Sequence, residues 1–435
     1  MRRPLLASLA ALAAGASLVA APLAAAAPAA GAEPPRTGFE RSDGTEWTSL
    51  EDEARFLRQV DRDSDRVSIR TIARTAQDRP VRMVQIGSGP RSQQEVAEGS
   101  TLLLLCLQHG NEPAGREACL STVRDLAYAT DARTQRLLDR TTVLVVPTFN
   151  PDGRAADTRQ NSAGVDLNRD HLVLTQPETQ GLARVLRDLR PDVLHDAHEY
   201  GGTPELYDRD LISLWPRNRN VDDRVHALAR QLSLTYVNGT VEDAGFSTGI
   251  YGIYNGPDGE PVAQVAGDED ERILRNLAGL RHVAGLLVET RIDDGLEDDP
   301  EGNVRRVNSQ LAAVRGTLSM VLEKRTQLAR QTAAARERAA QEGASGDSPY
   351  YLGGADNRLP ERSEVLFEPP CAYELTAEQF SSVRRTLTLH GIETTRSGGT
   401  VTVSMAQEAQ PVIPLLLDER AEYEVAAGTP VACGA

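Results

Sequence analysis

Residues 102–115 read LLLLCLQHGNEPAG, an apolar run that ends in a histidine and, three positions later, a glutamate. The run has the length of a strand and almost no polar residue, which is typical of a strand buried on both faces of a sheet. Three similar runs follow in the chain, and segments with helical spacing lie between them. The candidate strands are 101–107, 142–147, 192–197 and 286–290, and the helical segments are 114–128, 177–189, 221–234 and 269–283. Apolar strands that alternate with helices predict an α/β fold with a mostly parallel, mixed sheet that helices cover on both faces.

The chain on either side of this region predicts further elements. Before it, residues 50–60 have the pattern of an amphipathic helix, and the alternating runs 67–72 and 81–87 indicate strands. We expect the main α/β domain to cover residues 40–298.

From residue 299 onward the pattern changes. A long helix with one apolar seam is predicted over 299–343. A coiled-coil dimer would also use such a seam, but Arg325 interrupts it, which favours packing against the rest of the chain. Residues 344–362 have the polar, Gly/Pro-marked composition of a linker. Residues 363–435 predict a small α/β module, with a helix that begins at a Thr376–Gln379 capping box and ends at Gly391 before a hairpin.

The first 32 residues have the pattern of an export signal. Arg2 and Arg3 precede an apolar run over 5–23, and small-residue cleavage patterns end at Ala27 or Ala32. A retained membrane anchor is less favoured because two prolines interrupt the run. We therefore expect a secreted protein, or a periplasmic one if the source has an outer membrane, with no membrane attachment after cleavage. The choice between the Sec and twin-arginine routes stays open.

The charge balance argues against one class of partner. The chain has 47 basic and 63 acidic residues, a formal net charge of −16. Because binding to nucleic acid depends on neutralising phosphates with lysine and arginine, nucleic acid is a poor partner for this surface.

The four cysteines form an even set, as expected of an exported protein. Cys371 and Cys433 lie in loop-like contexts of the last segment, so a bridge between them is plausible there. Cys106 lies in the apolar run and Cys119 in the following helical pattern. We expect these two to be buried free thiols that act as small hydrophobic residues.

Polar side chains collect where the predicted strands end. His109 and Glu112 follow the first apolar strand, and His198 follows the strand 192–197. In open α/β sheets, ligands bind beyond the carboxyl ends of the strands, so these side chains are expected at one edge. Imidazole and carboxylate donors suit zinc, and a catalytic zinc needs three protein ligands. We therefore predict that His109, Glu112 and His198 bind one zinc ion.

The stretch PDVLHDAHEY offers two histidines, His195 and His198. Their positions differ by an odd number, so on an extended strand they point to opposite faces of the sheet. His198 is closest to the strand end and is the predicted ligand. The remaining histidines are expected to be surface or packing residues; they are His171, His226, His282 and His390.

Six short motifs in order carry a resemblance to a known family. They are HGNE at 109–112, NPDG at 150–153, RQN at 159–161, GVDLNR at 164–169, HEY at 198–200 and ETR at 289–291. Together they resemble the zinc metallocarboxypeptidase family, whose pancreatic members remove C-terminal amino acids from peptides. The resemblance covers residues 47–294 and implies that 40–298 is the catalytic domain. The family's basic catalytic domain has no counterpart for residues 301 onward.

The resemblance implies a role for each matching residue. Glu289 would be the general base that takes a proton from the attacking water, and Arg159 would stabilise the oxyanion. Asn168 and Arg169 would bind the terminal carboxylate of a peptide substrate, and Asp166 would orient His109. The family also places a mobile tyrosine before its glutamate base. Tyr251 and Tyr254 are the candidates, and the sequence does not separate them.

Two other functions compete with an exported zinc carboxypeptidase. HGNE also resembles the aspartoacylase and succinylglutamate desuccinylase group, which cleaves N-acyl amino acids. A non-catalytic domain that binds peptide or cell-wall material is the third possibility. The intact set of predicted ligands and base argues against it, and the long segment from NPDG to DLNRD favours the peptidase.

Overall fold

The computed structural model of the 435-residue chain describes residues 33–201, 208–255, 261–264, 269–292 and 299–434, with side chains except at 253–255 and 261–264. The predicted export signal lies outside the described residues. The helices of the described part are α1 (Gly38–Arg41), α2 (Leu50–Asp63), α3 (Gln93–Glu98), α4 (Pro113–Tyr128), α5 (Ala132–Leu138), α6 (Pro151–Ala156), α7 (Pro177–Leu189), α8 (Asp223–Gln231), α9 (Asn238–Asp243), α10 (Leu274–Leu280), α11 (Pro300–Ser345), α12 (Ala377–His390) and α13 (Ile413–Leu417). The strands are β1 (Val67–Arg74), β2 (Pro80–Ile86), β3 (Ser100–Cys106), β4 (Thr141–Val146), β5 (Val193–Gly201), β6 (Leu211–Leu214), β7 (Thr248–Ile250), β8 (Ile253–Asn255), β9 (Pro261–Gln264), β10 (Ala284–Ile292), β11 (Tyr350–Tyr351), β12 (Val365–Leu366), β13 (Ala372–Thr376), β14 (Thr395–Ser397), β15 (Thr400–Ser404) and β16 (Thr429–Val431).

The central sheet has eight strands in the order β1-β2-β4-β3-β5-β10-β6-β7. The four strands at its centre, β4, β3, β5 and β10, run parallel, and β2 and β6 flank them in the antiparallel sense. These four are the apolar runs that the sequence analysis identified as strands. The predicted α/β class with a mostly parallel, mixed sheet is confirmed.

The apolar run of β3 serves two cores, one on each face of the sheet. Leu102 and Leu104 pack in the core that contains residues of α4 and α11. Leu103 and Leu105 pack in the core that contains residues of α7 and α10. Because both faces are covered, every residue of β3 is buried, which accounts for the uninterrupted apolar run over 102–106.

The helix predicted over 269–283 is shorter than expected. Only Leu274–Leu280 is α-helical, because the Asp270 carboxylate accepts a hydrogen bond from the Arg272 N–H in a turn before it. At the other end, His282 has a φ of 63°, which stops the helix before β10.

The long helix α11 packs on the sheet face that also carries α4. Its N-cap is Asp299, and it ends at Gly346, which takes the left-handed conformation with φ 68°. Gly316 permits a close crossing, since a Cβ there would lie 2.4 Å from the Tyr236 carbonyl oxygen. The additional C-terminal helix is therefore part of the core and not a free appendage.

A smaller sheet, β14-β15-β13-β16, closes the chain together with α12. The capping box of Thr376 and Gln379 begins α12, and Gly391 ends it with φ 74°. The predicted long helix and small C-terminal α/β module are confirmed. No helix of the described part is both long and apolar enough to cross a membrane.

All four cysteines are in disulfides. Cys371 and Cys433 are bonded, as the sequence suggested. The expectation that Cys106 and Cys119 are free thiols is wrong, because these two also form a disulfide. Cys106 ends β3, and Cys119 lies in α4, the helix that packs on the same sheet face, so tertiary packing brings the two side chains together.

Candidate metal centre

His109, Glu112 and His198 lie together at the carboxyl ends of β3 and β5. One donor atom from each lies within 4.8 Å of the other two. His109 Nδ1 is 2.7 Å from Glu112 Oε1, and His198 Nδ1 is 2.9 Å from Glu112 Oε2. All three side chains are buried. The fold thus brings the three predicted ligands to one point, where they could hold a metal ion.

The backbone between β3 and α4 is shaped to present these side chains. Leu107 takes a positive φ of 60°, which turns the chain out of the strand. A Cβ on Gly110 would lie 2.0 Å from the Gly153 carbonyl carbon, so only glycine lets this loop pack against α6. The HGNE and NPDG motifs, which are about 40 residues apart in the sequence, are therefore adjacent in space.

Two aspartates hold the outer nitrogens of the two histidines. His109 Nε2 lies 3.1 Å from Asp166 Oδ1, and His198 Nε2 lies 3.0 Å from Asp196 Oδ2. These contacts turn the Nδ1 atom of each ring toward Glu112. Burial lowers the pKa of His198, but the carboxylates of Asp196 and Glu112 raise it overall, well above its usual range.

Asp196 was missed in the sequence analysis, as was the network behind it. The Gln108 side-chain amide donates to Asp196 Oδ2 at 2.7 Å, and Gln108 Oε1 lies 2.7 Å from Nε2 of the buried His171. One signal was available for Asp196, because it precedes His198 by two positions and therefore shares its face of the strand. Nothing in the sequence pairs Gln108 with His171.

Arg159 reaches the centre from the loop after α6. Its Nη1 lies 3.2 Å from His109 Nδ1 and 3.5 Å from Glu112 Oε1, and its Nε donates to Asp166 Oδ2 at 3.0 Å. The side chain is 42% exposed, so it faces the open side of the centre. A fixed guanidinium in this position can oppose negative charge that develops beside the ligands.

Glu289 lies next to His198 on the neighbouring strand. The two residues are register partners in the parallel pair β10–β5, so their side chains point to the same face. Glu289 is buried, and burial raises the pKa of its carboxyl group to about 7. A carboxyl group with a pKa near neutrality is suited to accept and release protons.

The centre opens into a cavity of about 290 Å³. Its lining includes His109, Glu112, Arg159, Asn168, Arg169, Tyr251, Arg275 and Glu289. Among these, Arg275 was not anticipated from the sequence. Of the two candidate tyrosines, Tyr251 lines the cavity, and the side chain of Tyr254 lies outside the described residues.

Asn168 and Arg169 lie on the cavity wall in a short 3₁₀ turn. Asn168 Oδ1 accepts a hydrogen bond from the Leu274 N–H at 2.9 Å, and its amide nitrogen lies 3.4 Å from His198 Nε2. Arg169 donates to the Asn168 carbonyl at 2.8 Å and is about one third exposed. Both residues are therefore fixed by the protein, with Arg169 the more accessible to a ligand.

The remaining histidines lie away from the ligand atoms. His195 is fully buried on the opposite face of β5, where its Nδ1 lies 2.8 Å from Thr317 Oγ1 of α11. His226, His282 and His390 contact Asp356, the Glu408 carbonyl and the Leu172 carbonyl, respectively.

The donor set fits zinc. Two imidazole nitrogens and one carboxylate are common zinc donors, and three protein ligands are the number found in catalytic sites. Each histidine also has an aspartate on its outer nitrogen, the arrangement that fixes the ring of a metal-binding histidine.

Comparisons with known proteins show what this chain is similar to. A model of the zinc carboxypeptidase family matches residues 54–197. Carboxypeptidase 2 of Trichophyton tonsurans is 28% identical over 222 residues, which cover 49% of this chain and 40% of that protein. Carboxypeptidase 2 of Trichophyton rubrum is 30% identical over 190 residues, which cover 42% of this chain and 35% of that protein.

Among solved structures, a metallo-carboxypeptidase from Pseudomonas aeruginosa in complex with (2-guanidinoethylmercapto)succinic acid is similar with a TM-score of 0.49 and 19% identity. The match covers 64% of this chain and 70% of that chain. This chain spans 35–40% of the length of the two curated relatives. The family match ends at residue 197, so His198 and Glu289 lie outside it; the register of β5 and β10 places these two residues side by side.

Proposed function

We propose, from the zinc carboxypeptidase domain that this chain contains, that the protein hydrolyses the last bond of peptides with a free terminal carboxylate. One observation carries the proposal. His109, Glu112 and His198 converge from separate parts of the chain, and the buried Glu289 lies beside them on the wall of one cavity.

His109, Glu112 and His198 are the proposed ligands of one zinc ion per chain, and Asp166 and Asp196 orient the two imidazoles. When bound, zinc would polarise the scissile carbonyl and lower the pKa of a water molecule at the site. The contacts with the two aspartates keep both rings in one orientation, which favours a site that is already formed in the metal-free protein.

Glu289 is the proposed general base. It takes a proton from the attacking water and passes it to the amine that leaves, so the same carboxyl group serves both halves of the reaction. Its pKa of about 7 supports this double role. Arg159, which faces the open side of the centre, opposes the charge that grows on the carbonyl oxygen.

Asn168 and Arg169 are the proposed partners of the substrate's terminal carboxylate. A guanidinium pairs with a carboxylate through two hydrogen bonds, and Arg169 presents one to the cavity. Tyr251 is the proposed tyrosine of the site. Burial raises the pKa of its hydroxyl group, which therefore stays protonated and donates a hydrogen bond.

Export is part of the proposal as well. The signal-like pattern over 1–32 supports a secreted or periplasmic protein that meets peptide substrates outside the cytoplasm. Two disulfides are consistent with an oxidising compartment.

The experiment combines a metal assay with two kinds of substrate. The purified protein is expected to hold about one zinc per chain and to hydrolyse an N-blocked dipeptide faster than an acetylated or succinylated amino acid. The reverse substrate order would favour an N-acyl amino acid hydrolase. Zinc without turnover of either substrate would favour a binding domain.

Glu289→Gln tests the assigned base. We expect it to keep stoichiometric zinc and to lose about 10²–10⁴-fold in kcat, the range that proton transfer by one side chain contributes. Glu271→Gln is the matched control, because Glu271 is also buried with a pKa raised to about 7 but does not line the cavity. Wild-type activity in Glu289→Gln would reject the assignment.

A further inference from the structure

Glu199 is in contact with two of the proposed zinc ligands, His198 and Glu112. It follows His198 in β5, and its backbone N–H donates to Glu112 Oε2 at 3.2 Å. Its side-chain Oε1 accepts a hydrogen bond from the N–H of Ala114, the second residue of α4, at 2.6 Å. Glu199 therefore holds both the Glu112 carboxylate and the start of the helix that follows Glu112.

The charge of Glu199 is balanced from outside the central sheet, by helix α11. Arg306 Nη2 lies 2.6 Å from Glu199 Oε2, and its Nε donates to the same oxygen at 2.7 Å. Both residues are buried: Arg306 is 3% exposed and Glu199 is 5% exposed. Arg306 is itself fixed, because its Nη1 donates to Asn303 Oδ1 at 2.8 Å and its guanidinium lies 5.0 Å from the Trp47 ring.

A second residue of α11 contacts the same segment of β5. One turn after Arg306, the Gln310 side chain donates to the His198 carbonyl oxygen at 2.9 Å. Helix α11 thus contacts the backbone of one proposed ligand and, through Glu199, the carboxylate of another.

We propose that Glu199 and Arg306 are positioning residues of the metal centre, and that α11 is a structural part of this centre. This inference rests on the proposed zinc site and adds a second layer of residues to it. The sequence motifs of the domain do not include Arg306, which lies in the C-terminal extension beyond them.

The physical reason is the cost of an unbalanced buried charge. Without Arg306, the Glu199 carboxylate would remain buried beside Glu112 with no cation to neutralise it. The Glu199 carboxylate would then turn toward water, and the hydrogen bonds that Glu199 makes to Ala114 and Glu112 would change. Displacement of an outer-shell partner of this kind typically costs 10–100-fold in metal affinity.

The test measures the zinc affinity of the full chain by competition with a chelator. Arg306→Met is expected to bind zinc 10–100-fold more weakly than the wild type. Glu199→Gln should also weaken binding, and the double variant should lose no more than the larger single loss, because the pair acts as a unit. Arg338→Met is the matched control: Arg338 is also an α11 arginine paired with a carboxylate, that of Asp222 at 2.7 Å, but it lies away from the centre.

Thermal unfolding of the metal-free proteins separates positioning from folding. A purely structural pair would lower the melting temperature and leave the zinc affinity of the folded protein unchanged, which would overturn the inference. A double variant whose loss equals the sum of the single losses would also overturn it. If Arg306→Met does not fold, Glu199→Gln is measured alone, and wild-type zinc affinity in it rejects the inference. A wild-type protein that binds no zinc would instead reject the proposed function.

Discussion

The two faces of β5 carry two buried histidines with opposite surroundings. His198 faces the metal centre, where Glu112 and Asp196 both lie within 3.0 Å of its ring. His195, three residues earlier, faces α11, where Thr317 Oγ1 lies 2.8 Å from its Nδ1. Both rings are almost completely buried. Burial alone therefore does not distinguish a site residue from a packing residue on this strand.

The carboxylates around each ring make the difference. Burial lowers the pKa of both histidines, but the adjacent acids raise that of His198 overall, whereas His195 has a pKa of about 4. The face of β5 that carries His198, here called the front face, thus favours a positive charge, which either a proton or a metal ion can supply. The opposite face, here called the back face, carries His195 and favours a neutral imidazole ring that packs against α11.

Exchange of each histidine for alanine gives the largest expected contrast. His198→Ala removes a proposed ligand and should weaken zinc binding by more than the roughly 100-fold that loss of an outer-shell partner costs. His195→Ala should keep zinc but lower stability by about 2–4 kcal/mol, since it leaves a cavity behind the strand. Zinc content of the folded proteins and denaturant unfolding check both. Loss of zinc in His195→Ala with retention in His198→Ala would reverse the assignment.

Asp196→Asn should have a smaller effect on the front face. The substitution weakens the contact that holds His198 Nε2, so we expect zinc affinity to fall about 10–100-fold while the fold is kept. Asp192→Asn is the control and should leave zinc affinity unchanged. Asp192 lies just before β5, at the end of the strand away from the metal centre, and accepts hydrogen bonds from Thr101 and Thr332. Equal effects of the two substitutions would mean that Asp196 acts only through stability.

The front face was largely predictable from the sequence because its signals are local. Strand alternation separates His195 from His198, and each motif lies at a strand end, where the topology of a parallel sheet brings the motifs together. His109, Glu112, Arg159, Asn168, Arg169 and Glu289 meet around one cavity for this reason.

The back face was not predictable because its partners are distant in sequence. Thr317 lies 122 residues after His195, and Arg306 lies 107 residues after Glu199. The apolar seam of α11 predicted a packed helix but not the element it covers. The Cys106–Cys119 disulfide was missed for a related reason, since it depends on how α4 sits against β3.

His195 should also give the protein a measurable sensitivity to acid. Its folded-state pKa of about 4 lies below the ordinary value of about 6.5, so the unfolded state binds the extra proton between these pH values. Stability from this site is present above pH 6.5 and is lost as the pH falls toward 4, by up to about 1.4 kcal/mol per pH unit. In metal-free protein, His195→Gln should show a shallower fall of unfolding free energy over this range. Parallel curves for the two proteins would contradict the prediction.

The smallest expected effect comes from the partner of His195. Thr317→Val keeps the shape of the side chain but leaves His195 Nδ1 buried without its hydroxyl partner, which should cost about 1–3 kcal/mol of unfolding free energy. Ser319→Ala is the control on the same helix, because its hydroxyl is exposed and should matter by less than about 0.5 kcal/mol. Zinc affinity should not change in either variant, since Thr317 contacts only the back face. A weakened zinc site in Thr317→Val would show that the two faces of β5 are coupled through the strand, and the packing role assigned to His195 would then be wrong.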